Sequence, residues 1–512
     1  MIERREDENA GRARRIRERH RRRTMRDRYT LVVVVAVLAV AAVFLALKLL
    51  TAGGGTGKQS LNNTSNEGTS NPSAGEGDSG AVTGQVSVNQ GDQPVQDAQT
   101  GTAASGTEND PAVTSAIEEA KRLAASYDYD KAAAMLDTIK TTDKSGEAEK
   151  LLAQISEEKA TLVDADITAV PHIFFHSLIV DTKLAFHNDK TRAEDYNRVM
   201  TTVDEFNRMM QQMYDRGYVL VSLHQMAQYT ETADGKGSMT AGKISLPPGK
   251  KPFVLSIDDM SYYAYMMPDG FATKLIIGAD GLLTNEMEKN DGTKVYGSYD
   301  VVPLLDDFVR LHPDFSYQGA KGAIALTGYD GVFGYRTDQD YYLKEHLLSN
   351  QEEWLDKHPD FDYEKDIAEA KKVAQALRDD GWELATHSWG HRDMKENSME
   401  KFVVDMEKWI DRVESIIGDT DIVIYPFGTD VGSVAKYTMD NEKYAWLHKH
   451  GFHYFCNVDS NQPWVQLGDN YLRQGRIDAD GYMMYYHPGK LSQFFDVSSV
   501  FDDARPTPVP EY

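Results

Sequence analysis

One segment constrains this chain before any other. Residues 31–47 read LVVVVAVLAVAAVFLAL, an apolar run without a polar break, and two more leucines follow Lys48. At 1.5 Å per residue, about 20 residues cross the roughly 30 Å hydrocarbon core of a bilayer, so 31–50 is predicted to be a transmembrane helix. Lys48, near its end, reaches the interface by extending its side chain. A cleaved signal peptide would have a shorter apolar stretch and a sharper small-residue cleavage site than TAGGG. Residues 1–30 hold twelve arginines and six acids, a net +6 in a chain whose total is −25. Excess basic charge stays on the cytoplasmic side. Residues 1–30 are therefore expected to be a cytoplasmic Arg-rich tail, and everything after residue 50 extracytoplasmic, in a single-pass protein of the cell membrane. The −31 left for the remainder excludes nucleic acid as its partner, since phosphate binding needs basic surface.

Residues 51–111 contain 12 Gly, 7 Ser, 8 Thr and 6 Asn but no aromatic residue. They cannot bury enough apolar surface to offset their ordering entropy and are expected to be a disordered linker, spanning roughly 45 Å as a flexible coil. Residues 112–163 turn amphipathic, with Ala116, Ala120 and Leu123 on one stripe and Ala132, Met135, Leu136 and Ile139 on another. This small helical segment resembles one tetratricopeptide-type unit at its YDYDKA turn. A single unit reads either as a short neck or as a module for a protein partner. From 165 to 512, strand-like segments (PHIFFHSLIV, YVLVSL, PFVLSI, WELATH, IVIYP) alternate with helix-like ones (YNRVMTTVDEFNRMMQQMYDRG, AEAKKVAQALRDDG, FVVDMEKWIDRVESIIG), and GYMMYYH reads as a further strand. That order predicts an α/β fold with a mostly parallel sheet. The lone Cys456 excludes an internal disulfide or a cysteine zinc cluster and reads as a small buried residue.

Three strand-like segments end in polar clusters: Asp258-Asp259, His387-Ser388-Trp389-Gly390-His391 and Tyr425-Pro426-Phe427-Gly428. The ends of parallel strands converge on one face, where functional groups gather. Two imidazoles and one carboxylate leave open positions on a divalent metal, as a hydrolytic or oxygen-activating centre requires. The second carboxylate offers a general base.

Together these motifs resemble those of the polysaccharide deacetylases, the NodB-homology domain of carbohydrate esterase family 4. Ser256-Ile257-Asp258-Asp259-Met260 is similar to the family's TFDDG, His387–His391 matches H(S/T)xxH, Tyr425–Gly428 is similar to YPYG, and Pro171–His176 is similar to PVLMYH. The resemblance covers about 170–480. It implies that Asp258 is the catalytic base and that Asp259, His387 and His391 bind a divalent metal, zinc first, with cobalt, nickel or manganese as alternatives. It also implies that a backbone N–H in the turn begun by Tyr425, that of Phe427, stabilises the oxyanion, and that Arg476 orients the base. Met260 stands where the family has Gly. For the family's late histidine, its general acid, His487 is the best candidate. Trp389, like Tyr262, Tyr263 and Trp464, is a candidate to stack on sugar. An inserted β-hairpin is expected at about 271–300, near the site's rim. The expected architecture is a distorted (β/α) barrel catalytic domain over 165–512, preceded by the transmembrane helix, the linker and the helical segment. The expected function is removal of N-acetyl groups from a cell-envelope or cell-wall polysaccharide. A catalytically silent carbohydrate-binding module and an O-acetyl polysaccharide esterase are the alternatives.

Overall fold

The computed structural model describes residues 109–187, 192–231, 237–459 and 461–512. The expected tail, transmembrane helix and nearly all of the linker lie outside them. Among the described residues no helix is long and apolar enough to cross a membrane.

Seven parallel strands close into a ring: β1 (His172–Phe175), β2 (Lys251–Ile257), β3 (Ala323–Leu326), β4 (Glu383–Thr386), β5 (Ile422–Ile424), β6 (Tyr454–Val458) and β7 (Leu472–Asp478). Each pairs with the next, and β7 returns to β1 with Ile477 opposite Ile173. The ring is irregular between β2 and β3. Only Ser256 and Ile257 of β2 pair with β3, while Lys251 to Phe253 pair with an outer strand, Tyr218–Leu220. An antiparallel strand, Trp464–Leu467, flanks β7. Side chains alternate faces along each strand. Phe253, Leu255, Ile257, Leu326, Leu384 and Val423 pack outward against helices. Val254, Ala323, Ala325, Ala385, Ile422, Ile424 and Cys456 belong to a second cluster, the bore. Eight strands leave an interior just wide enough for side chains, so a ring of seven favours alanine and cysteine there. Burial pushes the Cys456 thiol up to about 12, which keeps it an inert thiol.

The amphipathic segment forms α1 (Pro111–Ala125), α2 (Tyr129–Ile139) and α3 (Glu147–Ala160). Pro111 takes the first helical position, and the Asp110 carboxylate accepts the Ala112 N–H at 2.9 Å. The buried stripe Val113, Ile117, Ala120 and Ala124 shares one apolar cluster with Ala323, Ile422, Tyr454 and Leu472, the first residues of their strands. Tyr127 donates its hydroxyl to the Asp314 carbonyl at 2.8 Å, and the Gln318 N–H donates to the Ser126 carbonyl at 2.7 Å. These helices therefore form the floor of the barrel, which covers the stripe of Val113, Ile117, Ala120 and Ala124. Truncating Ile117 to Ala there costs about 2–5 kcal/mol.

Three local expectations change. The long helix expected before Gly217 is two helices, Arg192–Val199 and Val203–Asp215. Thr202 breaks it by accepting the Glu205 N–H at 3.1 Å while Glu205 accepts the Thr202 N–H at 2.8 Å. The insertion is a three-stranded antiparallel sheet, Lys274–Ile277, Leu283–Glu288 and Lys294–Gly297, because both of its turn signals are used. GYMMYYH is a helix over Gly481–Tyr486, started by the Asp480 carboxylate accepting the Met483 N–H at 2.7 Å.

At the floor, His224 bridges the chain just before β5 to the first residue of β4. Its Nδ1 lies 2.5 Å from Glu383 and its Nε2 3.1 Å from Asp421. Burial alone would depress its pKa, but the two carboxylates outweigh this and raise it well above the ordinary 6.5. A histidine whose pKa is raised on folding adds stability that is complete below its unfolded pKa and is lost as pH rises through the folded value. His224→Gln is expected to lower Tm most at about pH 6 or below, with the deficit shrinking as the pH is raised from there. Thermal melts of both proteins across that range check it.

Candidate active site

At the ends of the strands the backbone leaves its regular path. Asp258 continues the inward face of β2 and is 4% exposed. Asp259 then takes φ 57°, the left-handed region, as do Ser388 (58°), His391 (49°) and Phe427 (58°). Non-glycine residues there cost of order 1–3 kcal/mol each and persist only where the surroundings hold them. Met260, at the position of the family's Gly, is fully buried in the outer core and is not left-handed; Asp259 makes the turn instead.

Asp259, His387 and His391 each offer one ligand atom, and these atoms lie within 4.8 Å of one another. The His391 Nε2 is 3.5 Å from an Asp259 oxygen. The His387 Nδ1 faces the Ile424 carbonyl at 2.8 Å. A carbonyl only accepts, so Nδ1 carries the proton and Nε2 keeps its lone pair, the tautomer a metal ligand needs. Burial depresses the His387 pKa despite Asp258 and Asp259, which favours the neutral ring. By donor set and tautomer these residues fit a divalent cation.

Arg476, near the end of β7, grips Asp258 with both arms of its guanidinium, at 2.6 and 2.9 Å. Burial pushes the Asp258 carboxyl up, but Arg476, and after it His387 and His176, hold it down at about 2. The arginine is fully buried, lies over the Phe174 ring at 4.1 Å and donates to the Asn457 carbonyl at 3.2 Å. It also donates to the Ser256 hydroxyl at 3.0 Å. Ser256 meets His172 Nε2 at 2.8 Å, and His172 Nδ1 meets the Gln474 side-chain oxygen at 3.0 Å. Gln474 donates to the Val170 carbonyl at 2.9 Å. Burial, then Arg476, depresses the His172 pKa far below its ordinary value, so the ring is neutral. Nδ1 must then donate to Gln474, and Nε2 must accept the Ser256 proton. One polarised thread runs from the base through the bore.

The other expected site residues fare differently. Phe427 stands at the rim, 65% exposed, with its ring edge-on to His391 at 4.4 Å. The N–H groups of Gly428 and Thr429 close that turn on the Tyr425 and Pro426 carbonyls; the N–H of Phe427 is not among these bonds. Tyr425 has no free face: its N–H donates to the Cys456 carbonyl at 3.0 Å and its buried hydroxyl meets Tyr437 at 2.8 Å. Trp389 donates to Asp338 at 2.7 Å and carries the Lys408 ammonium 3.1 Å from its ring centroid, so one face is capped by a cation rather than offered to sugar. His487 follows the Gly481–Tyr486 helix and packs on Tyr482. The chain just beyond it reaches the floor, where the Gln493 carbonyl accepts from Tyr218 at 3.2 Å. Among the described residues His487 makes no hydrogen bond or ion pair with Asp258, Asp259, His387 or His391.

The histidine that the fold does bring to the site is His176, one residue past β1. It lowers the pKa of both Asp258 and Asp259, and its Nδ1 is buried without a hydrogen-bond partner. Asp478, at the end of β7, is raised well above the carboxylate range by burial and then by Asp480 and Asp258.

Residues 350–447 match the family model described as polysaccharide deacetylase, a segment holding His387, His391 and the Tyr425–Gly428 turn. The part of the barrel that holds β4, β5 and their loops thus resembles a polysaccharide deacetylase domain. No curated protein matches the chain. Among solved structures, the chain is similar to the Streptococcus pyogenes deacetylase PplD in complex with acetate, at 15% identity and a TM-score of 0.33, over 65% of this chain and 99% of that one. It is also similar to the putative polysaccharide deacetylase BA0330 from Bacillus anthracis, at 13% identity and a TM-score of 0.32, over 67% and 70%.

Removing one partner of a buried ion pair leaves an uncompensated charge and costs about 3–5 kcal/mol. Arg476→Met is expected to lose that much stability at neutral pH, and adding Asp258→Asn is expected to restore part of it. Urea unfolding of the single and double variants checks this; simple additivity would mean that the two groups are not coupled.

Proposed function

We propose that this protein is a membrane-anchored, extracytoplasmic, metal-dependent hydrolase that removes N-acetyl groups from a cell-envelope polysaccharide. The observation that carries the reading is the Asp259–His387–His391 donor set beside an ionised, arginine-held Asp258, in a domain of the deacetylase family. The anchor and the outward location are supported by the apolar run at 31–50 and the basic residues before it.

A divalent ion, zinc first, held by Asp259, His387 and His391, would supply polarisation of the acetyl carbonyl and of the attacking water. Asp258 takes the water's proton, and the fork of Arg476 keeps its carboxylate ionised and aimed. The N–H of Phe427 donates to the oxyanion of the tetrahedral intermediate. His176, facing both carboxylates, gives a proton to the leaving nitrogen in place of His487. The C–N bond breaks, and acetate and a free amine leave. The silent-module alternative drew on Met260 and on the lack of a late histidine. Met260 is accommodated as a core residue, and His176 supplies an imidazole from the other end of the domain.

Metal-replete protein is expected to release acetate from N-acetylglucosamine oligomers, to lose that activity with a chelator, and to lose about 10²–10⁴-fold in rate as Asp258→Asn. Acetate assays on a panel of N- and O-acetylated glycans check it. Release from O-acetyl substrates alone would make the enzyme an esterase, and release from none would sink the reading.

A further inference from the structure

Tyr263 has neither of its faces free for a sugar. Tyr265 stacks on it at 5.5 Å and 9°, and Tyr329 at 5.1 Å and 16°. What the ring presents is its hydroxyl, 2.6 Å from Asp259 Oδ1 and 2.8 Å from the Thr327 hydroxyl. Thr327 in turn lies 2.9 Å from the Ser261 hydroxyl. All three side chains are buried. An ionised carboxylate only accepts, so the single Tyr263 proton goes to Asp259. The tyrosine oxygen must then accept from Thr327, and Thr327 from Ser261. Each donation polarises the next, in one direction, toward the carboxylate. The oxygen so held, Oδ1, is not the one facing His391, which is Oδ2 at 3.5 Å.

We infer that Tyr263, backed by Thr327 and Ser261, is a positioning residue for the metal: it occupies one oxygen of Asp259 and leaves the other as a single, oriented ligand atom. Thr327 follows β3 and Tyr263 follows β2, so the relay also ties the ligand to the neighbouring strand end across the irregular seam of the ring. The inference rests on reading Asp259, His387 and His391 as a metal site. Hydrogen bonds of this kind to a ligand are worth roughly 10–100-fold in metal affinity.

The test is Zn²⁺ titration of the full-length, detergent-solubilised apoprotein against a chromophoric chelator, with the visible spectrum of the Co²⁺-loaded protein as a second readout. Wild type is expected to bind one equivalent and His387→Ala none. Tyr263→Phe is expected to bind one equivalent roughly 10–100-fold more weakly, with an altered Co²⁺ band because Oδ1 is released. Thr327→Val should weaken binding less, and Thr327→Ser should keep wild-type affinity. A merely structural role would leave affinity and band unchanged in whatever protein folds. If Tyr263→Phe does not fold, Thr327→Val against Thr327→Ser decides, and equal affinity overturns the inference. If wild type and His387→Ala bind alike, the metal reading itself fails; if only His387→Ala loses the ion while Tyr263→Phe matches wild type, this inference alone falls.

Discussion

A carboxylate does not stay ionised inside a bore of alanine and isoleucine unless a cation is fastened to it. Asp258 and Arg476 meet that condition, and much of the domain follows from how they do so. The acid ends β2 and the base-holding arginine lies on β7, two strands apart in the ring with β1 between them. Closure through β1 is what brings them together, and β1 contributes His172, whose neutral ring links both neighbours. An apolar pair in these places would be at least as stable. The ion pair keeps a proton acceptor charged where water alone would not.

Part of this was legible in the residues. Strands with β-branched or bulky apolar runs, such as FVLSI and IVI, announced themselves, and so did the acids and histidines that follow them. The strand Ala323–Leu326 did not, because AIAL is too short and too alanine-rich to separate from a helix fragment. GYMMYYH misled for a related reason: aromatics favour strands, but Asp480 supplies a helix cap that outweighs propensity. Tyr425 and Phe427 sit two apart in one turn, yet one is sealed in the core and the other stands in solvent. Only the left-handed residue between strand and loop decides which. His176 was visible inside the strand-like PHIFFHSLIV, as the last residue of the motif similar to PVLMYH, but nothing local marks it as near two carboxylates at the end of another strand. The helical segment looked separable because its stripe has helical period; what it packs against lies hundreds of residues away.

Five left-handed, non-glycine residues (Asp259, Tyr262, Ser388, His391 and Phe427) in the loops at three strand ends are unusual for one face of one barrel. Two of them are candidate metal ligands, one lies between two such ligands, Tyr262 follows in the loop of Asp259, and Phe427 is the proposed source of the oxyanion donor. The neighbours hold them firmly: Asp405 accepts the N–H groups of Trp389 and Gly390 at 2.9 and 3.0 Å, and the Tyr263 relay secures Asp259. Site geometry here is stored in backbone conformation, with side-chain hydrogen bonds as its latches.

The floor built by α1, α2 and α3 also sets a direction. The chain comes into the domain through α1, packed against the first residues of the strands, while Asp258, Asp259 and the histidines open from the last ones. Arrival point and catalytic mouth therefore sit at opposite poles of the barrel. Whatever meets Asp258 and the two histidines does so from the pole away from α1.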